Sequence, residues 1–123
     1  MQRIGLAVAF TGMFIGMACA IAADNSTDAK VKETSPEFTK AYLSDTKNQE
    51  AGKVVWDQQC RHCHGSRAYP GKAPKLKPYN YKPEFVFRRV TYGFEKMPAW
   101  ITVYSKEQRM AVVAYILSDD FSP

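Results

Sequence analysis

Wherever apolar residues recur along this chain, they do so at helical rather than strand spacing. From about Gln49 to Gln59, Ala51, Val54, Val55 and Trp56 form an apolar stripe. Asn48 stands as a candidate N-cap, and the helix is expected to run directly into Cys60. Gly52, four residues before Trp56 on one helical face, suits a place where a second helix crosses closely. Another helix is signalled by Pro83 at its first position, Glu84 in its first turn and Gly93 just past its end. Phe85, Val86, Arg89 and Val90 fall on one side of it, with Phe87 and Tyr92 flanking. The last helix opens on Ser105 with Gln108 three residues on, a capping box. It runs through Leu117, with Met110, Val113, Ala114 and Leu117 at i, i+3, i+4 and i+7. Pro36 to Leu43 suits a short helical turn carrying Phe38 and Tyr42. Between Gly65 and Tyr81 lies a loop, because Pro70, Gly71, Pro74 and Pro78 forbid regular structure. No stretch alternates as a strand would, so the expected class is all-α.

The first two dozen residues follow another logic. Arg3 gives a short positive start, Ile4 to Ile15 is apolar apart from glycine and threonine, and Ala18, Ala20, Ala22 and Ala23 follow. Residues 1–23 therefore read as a secretory signal peptide, cut near Ala23, with an uncleaved anchor as the alternative. The apolar run is short of the roughly 20 residues that span a bilayer, and no later stretch comes close, so no membrane span is expected in the mature chain. Cys19 belongs to the leader: a lipid-attachment box wants a leucine-like residue where Gly16 stands. Residues 24–35, polar and without apolar period, read as a disordered lead-in, and 36–123 as one domain.

The chemistry is concentrated in Cys60-Arg61-His62-Cys63-His64, since C-x-x-C-H is the attachment signal for a c-type haem. Two thiols at that spacing reach two vinyl groups of one porphyrin while the adjacent imidazole reaches the iron. Cys60 and Cys63 are thus the expected thioethers, His64 the proximal ligand and haem c, one per chain, the cofactor. Other uses of the motif fit less well. A zinc site gathers four Cys or His ligands, whereas this chain has three cysteines and two histidines and neither type after His64. A thioredoxin-like pair follows a strand, and here a helical pattern precedes Cys60. A plain disulfide leaves His64 without purpose. Haem attachment takes place outside the cytoplasm, which agrees with the leader and gives the bacterial periplasm as the expected address. In so small a domain the haem would form the centre of the core.

The second axial position decides between electron transfer and small-molecule binding. His62, confined between the two cysteines, cannot reach the far face. After the leader, only Met97 and Met110 remain as thioether donors. Met110 belongs to the stripe of the last helix and reads as core filler. Met97 lies in the non-helical Gly93-Phe94-Glu95-Lys96-Met97-Pro98-Ala99-Trp100 and is the favoured ligand; iron so ligated has both axial sites closed. The alternative is a small haem enzyme or gas sensor with a displaceable Met97.

The helix with Gly52 and Trp56, the Cys60-x-x-Cys63-His64-Gly65 motif, Pro74-x-Leu76, Met97-Pro98 and the last helix with Tyr115 together resemble a class I cytochrome c over about residues 48–118. The resemblance implies a small fold of three to four helices around one covalently attached haem, with Gly52 and Trp56 packed across the last helix near Tyr115. It also implies that the Pro74 carbonyl accepts from Nδ1 of His64 and so orients the ring. An electron-transfer protein rather than an enzyme is expected. The second half, from Gly93 to Trp100 with Tyr104 and Val113-Ala114-Tyr115, is also similar to the cytochrome subunit of p-cresol methylhydroxylase-type flavocytochromes. That likeness implies a flavoprotein dehydrogenase as electron donor; the run Met97-Pro98-Ala99-Trp100 is also similar to that of free cytochromes and of those serving quinoprotein dehydrogenases, so the expected donor is a flavoprotein or quinoprotein dehydrogenase, with a separate terminal acceptor.

Charge bears on the partner. The chain carries 17 Lys and Arg against 12 Asp and Glu; loss of Arg3 with the leader leaves 16 against 12, net +4. Lys72, Lys75, Lys77, Lys82, Arg88, Arg89 and Lys96 face only Glu84 and Glu95 in the same segment, which flanks the haem loop. An acidic patch on a redox partner would match that face, and a solvated surface is the plainer reading. Nucleic acid is not an expected partner, because Tyr69, Tyr79 and Tyr81 among these lysines are explained by loop anchoring or haem packing.

Overall fold

The structure is a computed structural model, and it describes residues 33–121. The expected signal peptide, residues 1–23, and residues 24–32 of the lead-in lie outside the described residues. Among the described residues five α-helices follow one another: α1 (Lys40–Ser44), α2 (Thr46–Val55), α3 (Arg61–His64), α4 (Pro83–Tyr92) and α5 (Lys106–Ile116). A π-helical turn at Trp56–Cys60 joins α2 to α3, and a 3-10 turn at Pro78–Asn80 precedes α4. Among the described residues there is no strand, only a bridge between Phe94 and Met97. The class is all-α, as the periodicity implies.

Local chemistry explains most helix ends. Gln108 N donates to Ser105 Oγ at 3.3 Å and Ser105 N to Gln108 Oε1 at 2.9 Å, which completes the expected capping box of α5. Pro83 opens α4, and Gly93, at φ 71°, closes it. At α2 the sequence reading is corrected. Asp45, not Asn48, is the N-cap, accepting from Lys47 N at 2.9 Å, and the helix starts three residues earlier than Asn48 would allow. Asn48 instead donates from Nδ2 to the Tyr42 carbonyl at 3.0 Å, and Gln49 from Nε2 to Leu43 O at 2.8 Å. These two side chains satisfy carbonyls at the end of α1 and hold the corner between α1 and α2.

The core forms where α2 meets α5. Gly52 is buried at the crossing, and a side-chain carbon built on it would run into the Ala111 carbonyl and the Tyr115 Cβ. Trp56, Phe87, Val112, Val113 and Phe121 are the innermost side chains. Trp56 packs edge-to-face on Phe121 at 4.6 Å and on Tyr115 at 6.3 Å, with Tyr115 and Phe121 5.3 Å apart. Such pairs contribute about 0.5–1.5 kcal/mol each beyond the area they bury.

The end of the lead-in is tied to the domain through Glu33. Glu33 is fixed: its carboxylate meets Arg109 of α5 at 2.7 Å, and its carbonyl accepts from the Tyr92 hydroxyl at 3.0 Å. An ion pair to a buried guanidinium orders a polar stretch that has no apolar period of its own.

Candidate functional site

The site begins at Trp56, where the helical ladder widens into the π turn before tightening again at Arg61. Such single-turn bulges re-aim the residues that follow, here those carrying the motif. Trp56 is almost wholly buried, and its Nε1 donates to the carbonyls of Gly65 at 3.2 Å and Ser66 at 3.1 Å. The chain thereby reverses directly after His64. Gly65, at φ 86°, makes that reversal, and a side chain there would meet the Pro70 carbonyl. Gly71 lies as tightly against the Cys63 carbonyl, and Ala73 N donates to Cys63 O at 2.8 Å. Leu76 N then donates to the carbonyl of buried Ala68 at 3.2 Å. Backbone packed on backbone thus folds the loop over the end of α3.

Within this frame Cys60 is half-buried and Cys63 exposed, and neither is in a disulfide. Burial pushes the Cys60 thiol up to about 11, so it stays protonated at neutral pH. The His64 ring lies 5.7 Å from the Trp56 ring, tilted by 38°. Burial lowers its pKa below the ordinary imidazole value, which keeps the ring neutral at pH 7. Its Nδ1 is the one buried side-chain polar atom among the described residues that has no hydrogen-bond partner. Leaving such an atom unpaired costs about 1–3 kcal/mol, and no polar group of the fold offsets that cost. A neutral, half-buried ring whose Nδ1 the fold leaves unpaired, with two unpaired thiols in the preceding four residues, is a donor set that fits a covalently attached haem.

The expected bond to Pro74 is not made. Nδ1 of His64 is without a partner, and Pro74 is exposed. The loop is gripped one residue earlier, through Ala73 N on the Cys63 carbonyl. His62 is exposed and turned along its own helix, with Nε2 3.1 Å from the Gln58 carbonyl.

Met97 sits in a tight turn. Phe94 N donates to Met97 O at 3.0 Å and Met97 N to Phe94 O at 2.8 Å, with Glu95 at φ 52° between them. The side chain is half-buried and packs against the core, as do Cys60, Leu76, Tyr81, Trp100, Tyr104 and Met110. Beyond Met97, Trp100 N and Ile101 N donate to the Val90 and Thr91 carbonyls of α4, at 3.1 and 3.2 Å. Tyr104, like Met97 and Cys60, packs against the same core cluster, and burial raises its pKa, with Cys60 a smaller cause. Of two surface hollows, of about 580 and 480 Å³, neither is lined by Cys60, Cys63, His64 or Met97, though the smaller borders the motif at Arg61 and Ser66.

The seven basic residues between Lys72 and Lys96 make no ion pair with another described residue. Arg89 instead stacks on Phe94, 3.7 Å from the ring centroid, and on Phe85 at 5.0 Å. Lys75 covers Tyr69 at 4.1 Å. Sequence reading did not find the role of Arg109, whose guanidinium is buried among Thr91, Glu33 and the carbonyls of Tyr104 and Ser105.

An all-α fold of this size, built around a C-x-x-C-H helix whose histidine Nδ1 the fold leaves unpaired, defines a class I c-type cytochrome, an electron-carrying protein. The family model described as cytochrome C oxidase, cbb3-type, subunit III matches residues 47–116, from α2 to the end of α5, and the chain belongs to that family. Membership carries with it a covalently attached haem c. No curated protein matches the chain. Among the described residues no helix is long and apolar enough to cross a membrane.

Proposed function

We propose that the chain is a periplasmic monohaem cytochrome in which Cys60 and Cys63 form the two thioethers, His64 is the proximal ligand and Met97 closes the opposite axial position. The observation that carries this reading is the His64 ring, neutral and with a buried nitrogen that nothing in the fold satisfies. When bound, the haem supplies a one-electron couple between ferrous and ferric iron. The protein's own part is to hold the ligands and exclude competitors. Trp56 and the Gly65 reversal fix the end of α3. The Phe94–Met97 turn fixes the thioether donor in a segment with no helical core to fill. His62, turned to Gln58, offers no second imidazole. With His64 and Met97 holding it, the haem would supply one-electron chemistry and leave no coordination site for a substrate, which sets this reading apart from a haem enzyme or gas sensor.

The donor in this reading is a periplasmic dehydrogenase, flavoprotein or quinoprotein, and the chain serves it either freely or as the cytochrome subunit of a flavocytochrome. The family's description, a subunit of an oxidase, supports a terminal oxidase at the acceptor end. The basic residues from Lys72 to Lys96, which make no ion pair among the described residues, support an acidic docking patch on the partner. Redox titration of two variants tests the ligand set. Met97→Ala lowers the potential substantially and opens the iron to carbon monoxide, whereas Met110→Leu costs less than about 1.5 kcal/mol of stability and leaves the potential in place. An exchange of those phenotypes overturns the assignment.

A further inference from the structure

Arg109 is the one charged residue buried among the described residues, 3% exposed on α5. A guanidinium in the core is strongly disfavoured unless its donors are satisfied, so the partners that satisfy it are held with it as a unit. Those partners come from three places. Nη1 donates to Thr91 Oγ1 at 2.8 Å, on the last turn of α4. Nη2 donates to Glu33 Oε2 at 2.7 Å, in the lead-in. Nε donates to the carbonyls of Tyr104 at 3.2 Å and Ser105 at 3.3 Å, where the segment bearing Met97 ends. Thr91 is wholly buried, and its carbonyl accepts from Ile101 N in that same segment.

The segment after Met97 is thus pinned twice, and both pins lead to Arg109. At 100–101 it is hydrogen-bonded to α4, next to the threonine hydroxyl that Arg109 holds. At 104–105 its carbonyls are bonded to Arg109 itself. Glu33, 76 residues away in sequence, supplies the countercharge, and the Tyr92 hydroxyl fixes the Glu33 backbone in turn.

We infer that Glu33 and Arg109 are positioning residues for the Met97 segment, acting through Thr91, Tyr104 and Ser105 to keep Met97 seated against the core. The inference rests on Met97 as the axial ligand, and it makes the end of the lead-in a strap that governs how firmly that ligand is held. Loss of the Glu33 carboxylate, or of the guanidinium fork by which Arg109 reaches Thr91, Glu33, Tyr104 and Ser105 together, loosens the segment, so an external ligand displaces the thioether more readily.

The test uses the full-chain ferric holoprotein, titrated with imidazole, which competes for the position that Met97 occupies. Glu33→Ala and Arg109→Lys are compared with Val55→Ala, a core change in α2 that touches none of the relay. Removing one partner of a charge-assisted buried bond is expected to raise the apparent imidazole affinity roughly tenfold. The thioether charge-transfer band weakens in parallel, and Glu33→Gln, which keeps a hydrogen-bond acceptor, restores part of the difference. Val55→Ala, even if its urea midpoint falls as far, keeps the parent's affinity. Unchanged imidazole binding in both relay variants, or an equal rise in Val55→Ala, overturns the inference. A parent protein without the thioether band overturns the ligation reading itself and this inference with it, and that spectrum is recorded before any variant is made.

Discussion

Gly52 of α2 lies so close beneath the carbonyl of Ala111 in α5 that no side-chain carbon fits between them. Replacing a helical glycine by alanine normally gains about 1 kcal/mol through propensity. Here the added methyl must displace backbone rather than a flexible side chain, and overpacking of that kind costs about 1–3 kcal/mol or more. The cost wins. Gly52→Ala is expected to lower the urea midpoint of the holoprotein; an unchanged or higher midpoint would show that α2 and α5 do not cross at this contact.

Trp56 combines a buried ring with a donor that two carbonyls share. Trp56→Phe keeps most of the apolar volume but leaves the Gly65 and Ser66 carbonyls without their partner. An unmade bond at a buried site costs about 1–3 kcal/mol. Because those carbonyls hold the chain reversal behind His64, the variant is also expected to change the environment of the histidine ring, seen as shifted imidazole resonances by NMR. A loss of stability with those resonances unmoved would limit Trp56 to a packing role.

Ser105 and Gln108 form a reciprocal cap that the sequence announces and the structure contains. Ser105→Ala removes one of its two bonds and is expected to cost about 1 kcal/mol. For a domain of this size that corresponds to a fall in Tm of about 4–8 °C, measured by differential scanning calorimetry.

Docking through the basic segment predicts salt dependence. Reduction of the cytochrome by its donor is expected to slow steeply as ionic strength rises, since a Debye length near 8 Å at physiological salt screens exposed charges. Charge reversal at Lys72 or Arg88 is expected to reproduce part of that slowing at low salt. Copurification with a dehydrogenase and a rate indifferent to salt would instead point to a permanently bound subunit.

The parts of the molecule that were legible in sequence are those whose chemistry is local. Proline, glycine and serine mark the ends of α4 and α5 because they act on neighbouring backbone, and the C-x-x-C-H spacing specifies its own geometry. The start of α2 was misread because Thr46 and Lys47 are solvent-facing and carry no apolar period; of the expected stripe only Val55 and Trp56 are buried, beside Gly52, while Ala51 and Val54 are exposed. Hydrogen bonding by the Pro74 carbonyl is a property of loop path, not of side-chain type, and the loop is held at Ala73 instead. Phe121 gave no signal, being a single aromatic beyond the last helical repeat, yet it is wholly buried against Trp56. Glu33 falls in the polar lead-in and Arg109 belongs to no motif, so nothing local signals their pairing until the fold brings residues 76 positions apart within 2.7 Å.

The most direct measurement is the visible and near-infrared spectrum of the ferric holoprotein at neutral pH. Ligation by His64 and Met97 predicts a low-spin spectrum with a thioether charge-transfer band that vanishes in Met97→Ala and persists in Met110→Leu. A high-spin ferric spectrum, or rapid binding of carbon monoxide by the reduced protein, would contradict it.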